Sequence, residues 1–388
     1  MRVGIFTESF LPQVNGVVTA VCASARVLSR KHEVKIFTVG SGPDLAAGCS
    51  VHRFRGMKLP TYNDYRFFVP SRNVWKKLSG VRLDVVHVRS SVGFGLVALR
   101  FARNRGIPIV GTLDTPISDY VHYVPLLGKI KPARKMLSST ALKYMVWFYN
   151  HCNAVIVPSK ATGEWLKEIG CKSDIMVLSN GVDTGLFSPK KRSAALRKRF
   201  CSDSVPMLLH VGRMTKEKSV SVLIKAANAM KEDGIEFVLI IAGKGPELDR
   251  LKRMAKLLGV DDCVRFVGFV PDMDLQKYYA SADVFITASP VETEGIVVLE
   301  AMASGLPVIG AGAGAIPEIV EDGVNGLVFN PNDHMGLLKA ISKIMDKGQR
   351  RRMAANALRV SKTYSIERTA KELERIYINL RKHPDVND

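Results

Sequence analysis

Residues 283–300, DVFITASPVETEGIVVLE, combine a predicted strand, a loop and the beginning of a predicted helix. The aliphatic first part is typical of a parallel strand that is covered on both faces. The loop contains Glu292 and Glu294, and the helix is predicted to begin near Gly295 and to contain Glu300. Acidic residues at a helix start stabilise its dipole by about 0.3–1 kcal/mol, which explains Glu292 and Glu294. Glu300 lies among aliphatic residues, where a buried carboxylate needs a partner.

The same alternation of short aliphatic runs and longer amphipathic stretches continues along the chain, as expected for parallel strands joined by helices. Strands are predicted at 3–6, 34–39, 84–88, 107–112, 154–158, 175–178, 207–212, 237–243, 264–268, 283–288 and 306–311. Helices are predicted at 17–30, 92–105, 219–232, 247–258 and 332–347. Two series of similar size predict an α/β protein with two Rossmann-like, doubly wound parallel-sheet domains that face a central cleft.

The domain boundary is predicted in SNGVDTGLFSPKKRS (179–193), because this stretch has an Asn-Gly turn, a proline and a run of charges. The first domain then comprises residues 1–189 and the second comprises residues 190–364. Residues 365–388 begin with a helical pattern that no strand follows, and we predict that this helix packs back on the first domain. Ligands of open parallel sheets bind beyond the carboxyl ends of the strands, so functional residues are expected in the loops after strands.

Composition restricts the class of protein and points to an anionic partner. The 388 residues are 47% hydrophobic and 24% charged, which is typical of a soluble globular protein and not of a disordered chain. The six cysteines form no C-x-x-C pair, and we therefore expect a reducing cytosol. The net charge is +20, and residues 1–189 contain 25 Lys and Arg against 11 Asp and Glu. This excess favours a membrane surface, a nucleic acid or a phosphorylated acceptor, with general solubility as the alternative explanation.

Loops that contain glycine follow the first strand of each domain. Gly16 lies at the start of a predicted helix, where backbone N–H groups favour an anion. In LHVGRMTKEKS (209–219), Gly212 and Arg213 follow a strand and Lys218 precedes a helix. Arg213 and Lys218 could converge on a diphosphate. A plain turn at Gly16 and a solvated basic loop at 209–219 are the alternative explanations.

Two other loops could contact a nucleotide sugar. The turn from Gly243 to Gly245 follows a strand and could approach a nucleotide, or could simply connect the strand to the next helix. The first turn of the helix at Gly295 could hold a phosphate through its N–H groups. Carboxylates accept paired hydrogen bonds from hydroxyl groups, so Glu292 and Glu300 suit the vicinal diols of a sugar and a ribose.

Taken together and in this order, several motifs resemble those of the retaining GT-B glycosyltransferases of group 1, which have an E-x7-E motif. These motifs are PQVNGVV (12–18), HVGRMTKEKS (210–219), FVGFVPDMDL (266–275) and ETEGIVVLEAMASGLPVI (292–309). The pattern is most similar to the sulfoquinovosyl- and glucosyl-diacylglycerol synthases and the phosphatidylinositol mannosyltransferases. The resemblance implies a nucleotide-sugar donor bound by the second domain, an acceptor bound by the first, and no required metal or other cofactor.

The resemblance also implies roles for individual residues. Arg213 and Lys218 match the family's diphosphate contacts, Glu292 matches the residue that touches the donor sugar, and Glu300 matches the residue that holds the ribose. The predicted catalytic residues are Arg213, Lys218, Glu292 and Asp114. The predicted donor-binding residues are Gly16, Gly212, Gly243, Gly245, Val267, Val270, Glu294, Gly295, Ile296 and Glu300. Arg213, Lys218 and helix N–H groups would stabilise the charge on the leaving diphosphate, which electrostatics can do without a metal.

The first domain departs from the family pattern at two positions. Family members commonly have a histidine that reaches the donor sugar where this chain has Asp114. Asp114 could accept a hydrogen bond from a sugar hydroxyl but cannot present an imidazole. Arg89 stands where a second histidine is frequent and could bind an anionic acceptor. Arg89, Tyr120 and Tyr123 are the predicted acceptor-binding residues.

A membrane lipid is the predicted acceptor. The stretch 128–154 begins with basic residues at 129, 131, 134 and 135 and continues to an apolar-aromatic group at 145–149, as in helices that dock to anionic lipid. An ordinary amphipathic helix that covers the sheet explains the aromatic residues equally well. We therefore predict transfer of a hexose, from a UDP-sugar in preference to GDP-mannose, to a hydroxyl of diacylglycerol or a phospholipid. The enzyme would lie on the cytoplasmic face of a membrane. A soluble sugar or sugar-phosphate acceptor is the alternative, and a basic nucleic-acid-binding protein is the alternative of another class.

Overall fold

A computed structural model of the chain describes residues 1–13, 15–59, 62–68, 72–114 and 131–382. For 58–59, 62–67, 72 and 131–135 only the backbone is described. The described residues form two compact units, one made of 1–180 together with the helix that begins at Ile366, the other made of 181–365. Each unit is built on a parallel sheet, and the predicted fold class is therefore confirmed.

The first unit contains ten strands in the described ranges. They are β1 (Arg2–Phe6), β2 (Glu33–Val39), β3 (Leu45–Ala46), β4 (Cys49–Phe54), β5 (Gly56–Leu59), β6 (Tyr62–Phe68), β7 (Val85–Val88), β8 (Ile109–Thr112), β9 (Ala154–Val157) and β10 (Asp174–Val177). Its helices are α1 (Gly16–Leu28), α2 (Arg72–Ser79), α3 (Phe94–Arg103), α4 (Lys131–Tyr149) and α5 (Lys160–Glu168), joined by α14 (Ile366–Lys382).

The second unit alternates strands and helices throughout. Its strands are β11 (Met207–Val211), β12 (Val238–Ala242), β13 (Val264–Gly268), β14 (Val284–Thr287), β15 (Val308–Ala311) and β16 (Gly326–Phe329). Its α-helices are α6 (Ala194–Lys198), α7 (Val220–Glu232), α8 (Leu248–Leu257), α9 (Asp272–Ser281), α10 (Ile296–Ala303), α11 (Ile316–Ile319), α12 (His334–Ile344) and α13 (Lys347–Ser361). Short 3-10 helices lie at Pro189–Lys191, Lys216–Lys218 and Lys362–Tyr364.

The strand order explains why the two sheets are open and doubly wound. The first sheet has the order β10-β9-β8-β7-β1-β2-β4-β3, and only the β3–β4 pair is antiparallel. The second has the order β13-β12-β11-β14-β15-β16, with every pair parallel. In both sheets the first strand of the unit lies in the interior and the chain proceeds outward in both directions. The loops after neighbouring strands therefore meet at one edge of each sheet.

In the central strands of both sheets, successive side chains pack into opposite apolar layers, because both faces of each sheet are covered. In β2, Ile36 packs against α1 and α14, whereas Phe37 packs in the layer that contains α3 and α4. In β11, Leu208 lies in the layer of α7 and α12, whereas Leu209 lies in the layer of α9 and α10. These continuous aliphatic runs are what made the strands predictable from the sequence.

The predicted boundary at residue 189 lies inside the second unit, because the chain divides between Asn180 and Gly181. Val182 and Phe187 are buried in the same layer as Leu196 and the start of the second sheet. The proline and lysines that suggested a linker instead form the 3-10 helix at Pro189–Lys191. Apolar burial therefore ties this stretch to the second unit, although its turn residues are typical of a linker.

Helix α14 packs on α1 and completes one apolar layer of the first unit. Ala370, Leu373 and Tyr377 are buried in that layer. The Tyr377 hydroxyl lies 2.7 Å from His87 Nδ1, and His87 Nε2 lies 2.6 Å from the Thr112 hydroxyl. Burial lowers the pKa of His87 well below its ordinary value, so this histidine is a neutral structural residue.

Candidate active site

The loop between β14 and α10 places two glutamates around a helix start in the second unit. Gly295, with φ 78°, directly precedes α10, which confirms the predicted start of the helix. The first turn of a helix presents N–H groups that have no partner within the helix, and these favour an anion. Ile296 is the first residue of that turn, while Glu294 in the preceding loop is buried.

Glu292 forms an ion pair with Lys218. The Lys218 Nζ atom lies 2.6 Å from Glu292 Oε1, and the side chains are 25% and 11% exposed. The pair is possible because β11 and β14 are neighbours in the sheet, so the loops that follow them meet. Arg213 is exposed on the same loop as Lys218, directly after Gly212. The structure thus brings together the loops of three predicted catalytic residues, Arg213, Lys218 and Glu292.

Glu300 projects from the second turn of α10 into a buried position beside Tyr279. The Tyr279 hydroxyl donates a hydrogen bond to Glu300 Oε2 over 2.8 Å. Burial raises the pKa of the Glu300 carboxyl from an ordinary value of 4.5 to about 8, and the bond from Tyr279 partly opposes this shift. Asp272, at the start of α9, adds to the rise. The Glu300 carboxyl is therefore bonded to a neutral hydroxyl, and the pKa of this carboxyl lies close to neutral pH.

Glycine turns join the loops that follow β11, β12 and β13. A side chain at Gly243 would overlap the carbonyl oxygen of Gly212, so only glycine allows these two loops to approach. The Met214 N–H donates to the Lys244 carbonyl over 3.0 Å, and the Gly243 N–H donates to the Gly268 carbonyl over 2.7 Å. Gly245 lies in the same turn, and a side chain at this position would overlap the backbone of Met214.

Val267 lies near the end of β13 and Val270 lies just after this strand, and both are partly buried against the layer of α9 and α10. The predicted donor-binding residues of the second unit therefore lie at one edge of its sheet, with Glu300 buried behind them.

His210 is a buried polar residue at this edge whose role the sequence did not indicate. Its Nδ1 atom lies 3.0 Å from the Ile286 carbonyl oxygen, so Nδ1 carries the proton and donates. Burial lowers the pKa of His210 from 6.5 to about 4, and nearby Lys218 adds to the fall. Nε2 has no hydrogen-bond partner among the described residues. His210 therefore supports the end of β11 as a neutral side chain.

In the first unit, Arg89 and Asp114 are bonded to each other. Arg89 follows β7 and Asp114 follows β8, which are neighbouring strands. The guanidinium donates to both carboxylate oxygens, over 2.9 Å from Nε and 2.7 Å from Nη2. Asn180 closes the group, because its amide oxygen accepts from Arg89 over 2.7 Å and its amide nitrogen donates to Asp114 over 3.1 Å. Asp114, which was predicted to bind the donor sugar, and Arg89, which was predicted to bind the acceptor, thus belong to one buried cluster.

The remaining predicted residues of the first unit are placed as follows. Gly16 is the first residue of α1, and Asn15 caps this helix by accepting a hydrogen bond from the Val18 N–H over 3.0 Å. Tyr120 and Tyr123 lie outside the described residues. Within the described ranges, no three His, Cys, Asp or Glu side chains are grouped as metal ligands.

The residues that sequence reasoning missed are Tyr279, His210 and Asn180. Each contacts a predicted site residue or the strand that carries one, but each lies far from its partner in the sequence. Tyr279 resembles any buried aromatic residue of a helix until its hydroxyl is seen beside Glu300. No local signal in the sequence identifies such pairs.

Comparison with known proteins identifies the class of this chain. Residues 14–186 match the family model Glycosyltransferase Family 4, and residues 193–360 match Glycosyl transferases group 1. The alpha-monoglucosyldiacylglycerol synthase of Acholeplasma laidlawii is 30% identical over 394 residues, which cover 98% of this chain and 97% of that protein. The enzyme of the same name from Streptococcus pneumoniae is 30% identical over 364 residues, 90% of this chain and 80% of that protein.

A solved structure has a similar fold. A crystal structure of Anabaena HepE in complex with UDP and glucose superposes with a TM-score of 0.79 at 21% identity, covering 98% of this chain and 100% of that one. The protein is therefore a glycosyltransferase with the GT-B fold. It belongs to the family of group 1 glycosyltransferases, and the resemblance noted in its sequence is confirmed.

Proposed function

We propose that this enzyme transfers a hexose, with retention of anomeric configuration, from a UDP-sugar to a hydroxyl group of a membrane lipid. The observation that carries the proposal is the arrangement around α10, where Lys218, Glu292, Glu300 and the first helical turn lie at one edge of the second sheet. This arrangement offers a cation and N–H groups for a diphosphate, and carboxylates for sugar hydroxyls. The similarity to two synthases of glucosyl-diacylglycerol supports the lipid acceptor.

The second unit would bind the donor. Arg213, Lys218 and the N–H groups near Gly295 and Ile296 would hold the diphosphate and stabilise the negative charge that develops on it as the sugar leaves. Glu292 would accept hydrogen bonds from hydroxyls of the sugar, and Glu300 from those of the ribose. The Gly243–Gly245 turn and residues 267–270 would contact the base. UDP is favoured because the structural relative HepE was crystallised with UDP and glucose.

Retention follows if the acceptor attacks the face of the sugar from which the diphosphate departs. The departing phosphate oxygen would then take the proton of the acceptor hydroxyl. The relatives are named as alpha synthases, which supports this outcome, because common UDP-hexoses are themselves α-linked. Analysis of the product by NMR tests the proposal, and a β-linked product would exclude it.

The first unit would bind the acceptor. Asp114 would accept a hydrogen bond from a hydroxyl of the donor sugar while Arg89 and Asn180 hold its carboxylate in place. Arg89 already donates to two side chains, so we now assign it to orienting Asp114 instead of binding an anionic acceptor directly. Tyr120 and Tyr123 remain predicted acceptor residues.

Attachment to the surface of an anionic membrane would bring the enzyme to its acceptor. Across the described part of the chain, no helix combines the length and the apolar character needed to cross a membrane. The first unit exposes Trp75 on α2 and Trp147 on α4, by 41% and 45%. The Arg100 guanidinium lies 5.6 Å from the centre of the Trp75 ring, which joins a cation to an exposed aromatic side chain. Such pairs suit the interface of anionic bilayers, here on the cytoplasmic side.

Vesicle sedimentation tests this attachment. We expect anionic vesicles to sediment the protein at low salt and to release it at high salt, because salt screens the attraction of surface charges. Trp75→Ala should weaken sedimentation. The matched control is Leu257→Ala, which removes a side chain that is 87% exposed in the second unit. If the protein sedimented with anionic vesicles at none of the salt concentrations, including the lowest, membrane attachment would be contradicted.

The activity itself is tested by incubating the protein with common sugar nucleotides and vesicles that contain diacylglycerol or phospholipid. We expect release of nucleoside diphosphate and formation of a glycolipid, both dependent on the lipid. Release that instead requires a soluble sugar or sugar phosphate would favour the soluble acceptor. Absence of release with every donor and acceptor would contradict the proposal as a whole.

A further inference from the structure

The ion pair of Glu292 and Lys218 combines a fixed anion with a movable cation. The Glu292 carbonyl accepts a hydrogen bond from the Ala315 N–H over 2.9 Å. Gly314, with φ 57°, packs so closely that a side chain at this position would overlap the same carbonyl oxygen. The turn between β15 and α11 therefore fixes the backbone of Glu292 and limits where its carboxylate can move.

Few contacts, in contrast, restrain the Lys218 side chain. Its ammonium group sits on a flexible four-carbon stem, and the side chain is 25% exposed. The residue ends the 3-10 helix Lys216–Lys218, and Ser219 after it has left-handed backbone angles, φ 49° and ψ 32°. Lys218 holds Glu292 through one bond at 2.6 Å. A rotatable ammonium with a single bond can be drawn away by an anion of higher charge.

We infer that Lys218 changes its partner during the reaction cycle, from the Glu292 carboxylate in the donor-free enzyme to the diphosphate in the donor complex. The inference rests on the proposed function, because it takes the nucleoside diphosphate as the competing anion. Glu292 then loses its cation when the diphosphate arrives. The hydroxyl groups of the donor sugar replace that cation as partners of the carboxylate.

Because of this exchange, the enzyme binds the donor and the nucleoside diphosphate product differently. A nucleotide sugar breaks the ion pair but supplies new partners to both residues. A nucleoside diphosphate without sugar supplies a partner to Lys218 only, and leaves the partly buried Glu292 carboxylate without one. After transfer, the ion pair of Glu292 and Lys218 can therefore form again. Its formation competes with the bond from Lys218 to the diphosphate and so weakens the binding of the product. The pair acts as a positioning device that favours product release and limits product inhibition.

The inference makes a prediction with an unusual sign, because removing a donor-site charge should tighten product binding. We would titrate the full-length wild-type protein and Glu292→Gln with UDP and with GDP by calorimetry. The amide keeps the shape of the side chain but no longer holds the ammonium as an ion pair. We expect Glu292→Gln to bind the diphosphate about twofold to fivefold more tightly, the range expected for a partly exposed ion pair. Affinity for the donor itself should not rise, since its sugar loses the carboxylate.

Two controls isolate the exchange. Adding Glu292→Gln to the single variant Lys218→Met should not raise its affinity for the diphosphate, because no ammonium remains to be released. Asp262→Asn breaks another ion pair of the second unit, in which Lys231 Nζ lies 2.7 Å from Asp262 Oδ2. That pair joins the last turn of α7 to the segment before β13, at the edge of the sheet opposite the loops that follow the strands, and nucleotide affinity should stay unchanged. Thermal unfolding checks each variant, and Glu292→Ala provides the same test if Glu292→Gln does not fold.

The outcomes distinguish this inference from the proposed function. Equal or weaker diphosphate binding by a folded Glu292 variant would overturn the exchange and leave the proposed function intact. A gain that persists without Lys218 would also overturn the exchange. If the wild-type protein binds no nucleoside diphosphate, with UDP, GDP, ADP, CDP and TDP all tested, the proposed function fails together with the inference.

Discussion

Two ion pairs at the ends of parallel strands differ in how completely their charges are satisfied. In the first unit, Arg89 and Asp114 have side chains only 4% and 8% exposed, and Asn180 bonds to both. In the second unit, Lys218 and Glu292 are 25% and 11% exposed and share a single bond. A planar guanidinium that donates two parallel bonds fixes its partner, whereas an ammonium provides only a point charge.

The difference distinguishes a cluster whose charges are held in place by several hydrogen bonds from an ion pair that can exchange partners. Breaking a buried, fully bonded pair leaves a charge without compensation, so the Arg89 cluster should matter most for stability. A partly exposed pair contributes little to stability, so the Lys218 pair should matter most for binding and turnover. The three predictions below test this division, in order of decreasing effect.

Replacing Arg89 by alanine should lower the free energy of unfolding of the first unit by about 3–5 kcal/mol, because Asp114 is then buried without its cation. All three tryptophans, at 75, 147 and 165, lie in the first unit, so urea unfolding followed by tryptophan fluorescence reports on that unit. The double variant Arg89→Met with Asp114→Leu should recover most of the loss. A loss below about 1 kcal/mol would show that this cluster contributes no more to stability than an ordinary surface ion pair.

Replacing Lys218 by alanine should lower kcat on the order of a hundredfold to a thousandfold, because a group that stabilises the leaving diphosphate is removed. The matched control is Lys216→Ala, which removes an exposed lysine from the same short helix and should leave kcat close to the wild-type value. Stability should change by less than about 1 kcal/mol. An unchanged kcat for Lys218→Ala would remove this residue from the diphosphate site.

Glu300 extends the comparison to a buried carboxylate that faces a neutral hydroxyl. Its pKa is raised from 4.5 to about 8, so the folded protein binds a proton that the unfolded chain has lost between these pH values. The stability of the second unit should therefore fall as pH rises from about 4.5 to about 8, by a few kcal/mol at most. Thermal unfolding by circular dichroism should show this fall in the wild type and a smaller one in Glu300→Gln. Equal slopes would show that Glu300 does not titrate in this range.

Much of the fold could be predicted because most sheet strands are aliphatic runs covered on both faces. All eleven strands predicted from the sequence are present, from β1 at Arg2–Phe6 to β15 at Val308–Ala311. The strands β3 to β6 and β16 were not predicted, because they are short or polar, as in CSVHRF of β4. The chain divides within the predicted stretch 179–193, at its Asn-Gly turn, but before the predicted bound at residue 189. That bound was set too late because the turn residues near Pro189 are local signals, whereas the burial of Val182 and Phe187 depends on distant residues.

The site was predictable where a residue's neighbours in the sequence revealed its position. Glu292 and Glu300 stood out because a strand, a loop and a helix start surround them, and the structure has this order. Their pairings did not stand out. Lys218 had been singled out for the diphosphate and not as the partner of Glu292, and Tyr279 had not been singled out at all. Both reach the glutamates through sheet neighbours and helix packing, which no short stretch of sequence reports. The mutual bonding of Arg89 and Asp114 was missed for the same reason, although both had been singled out.

The path of the chain has a consequence for biosynthesis. Residues 181–365 form the second unit without interruption, whereas the first unit needs α14, which the ribosome makes only after the second unit. Until then the apolar surface that receives Leu373 and Tyr377 is uncovered, and His87 lacks Tyr377, one of its two partners. The nascent first unit therefore stays incomplete throughout synthesis of the second, a period in which chaperones have exposed apolar surface to bind.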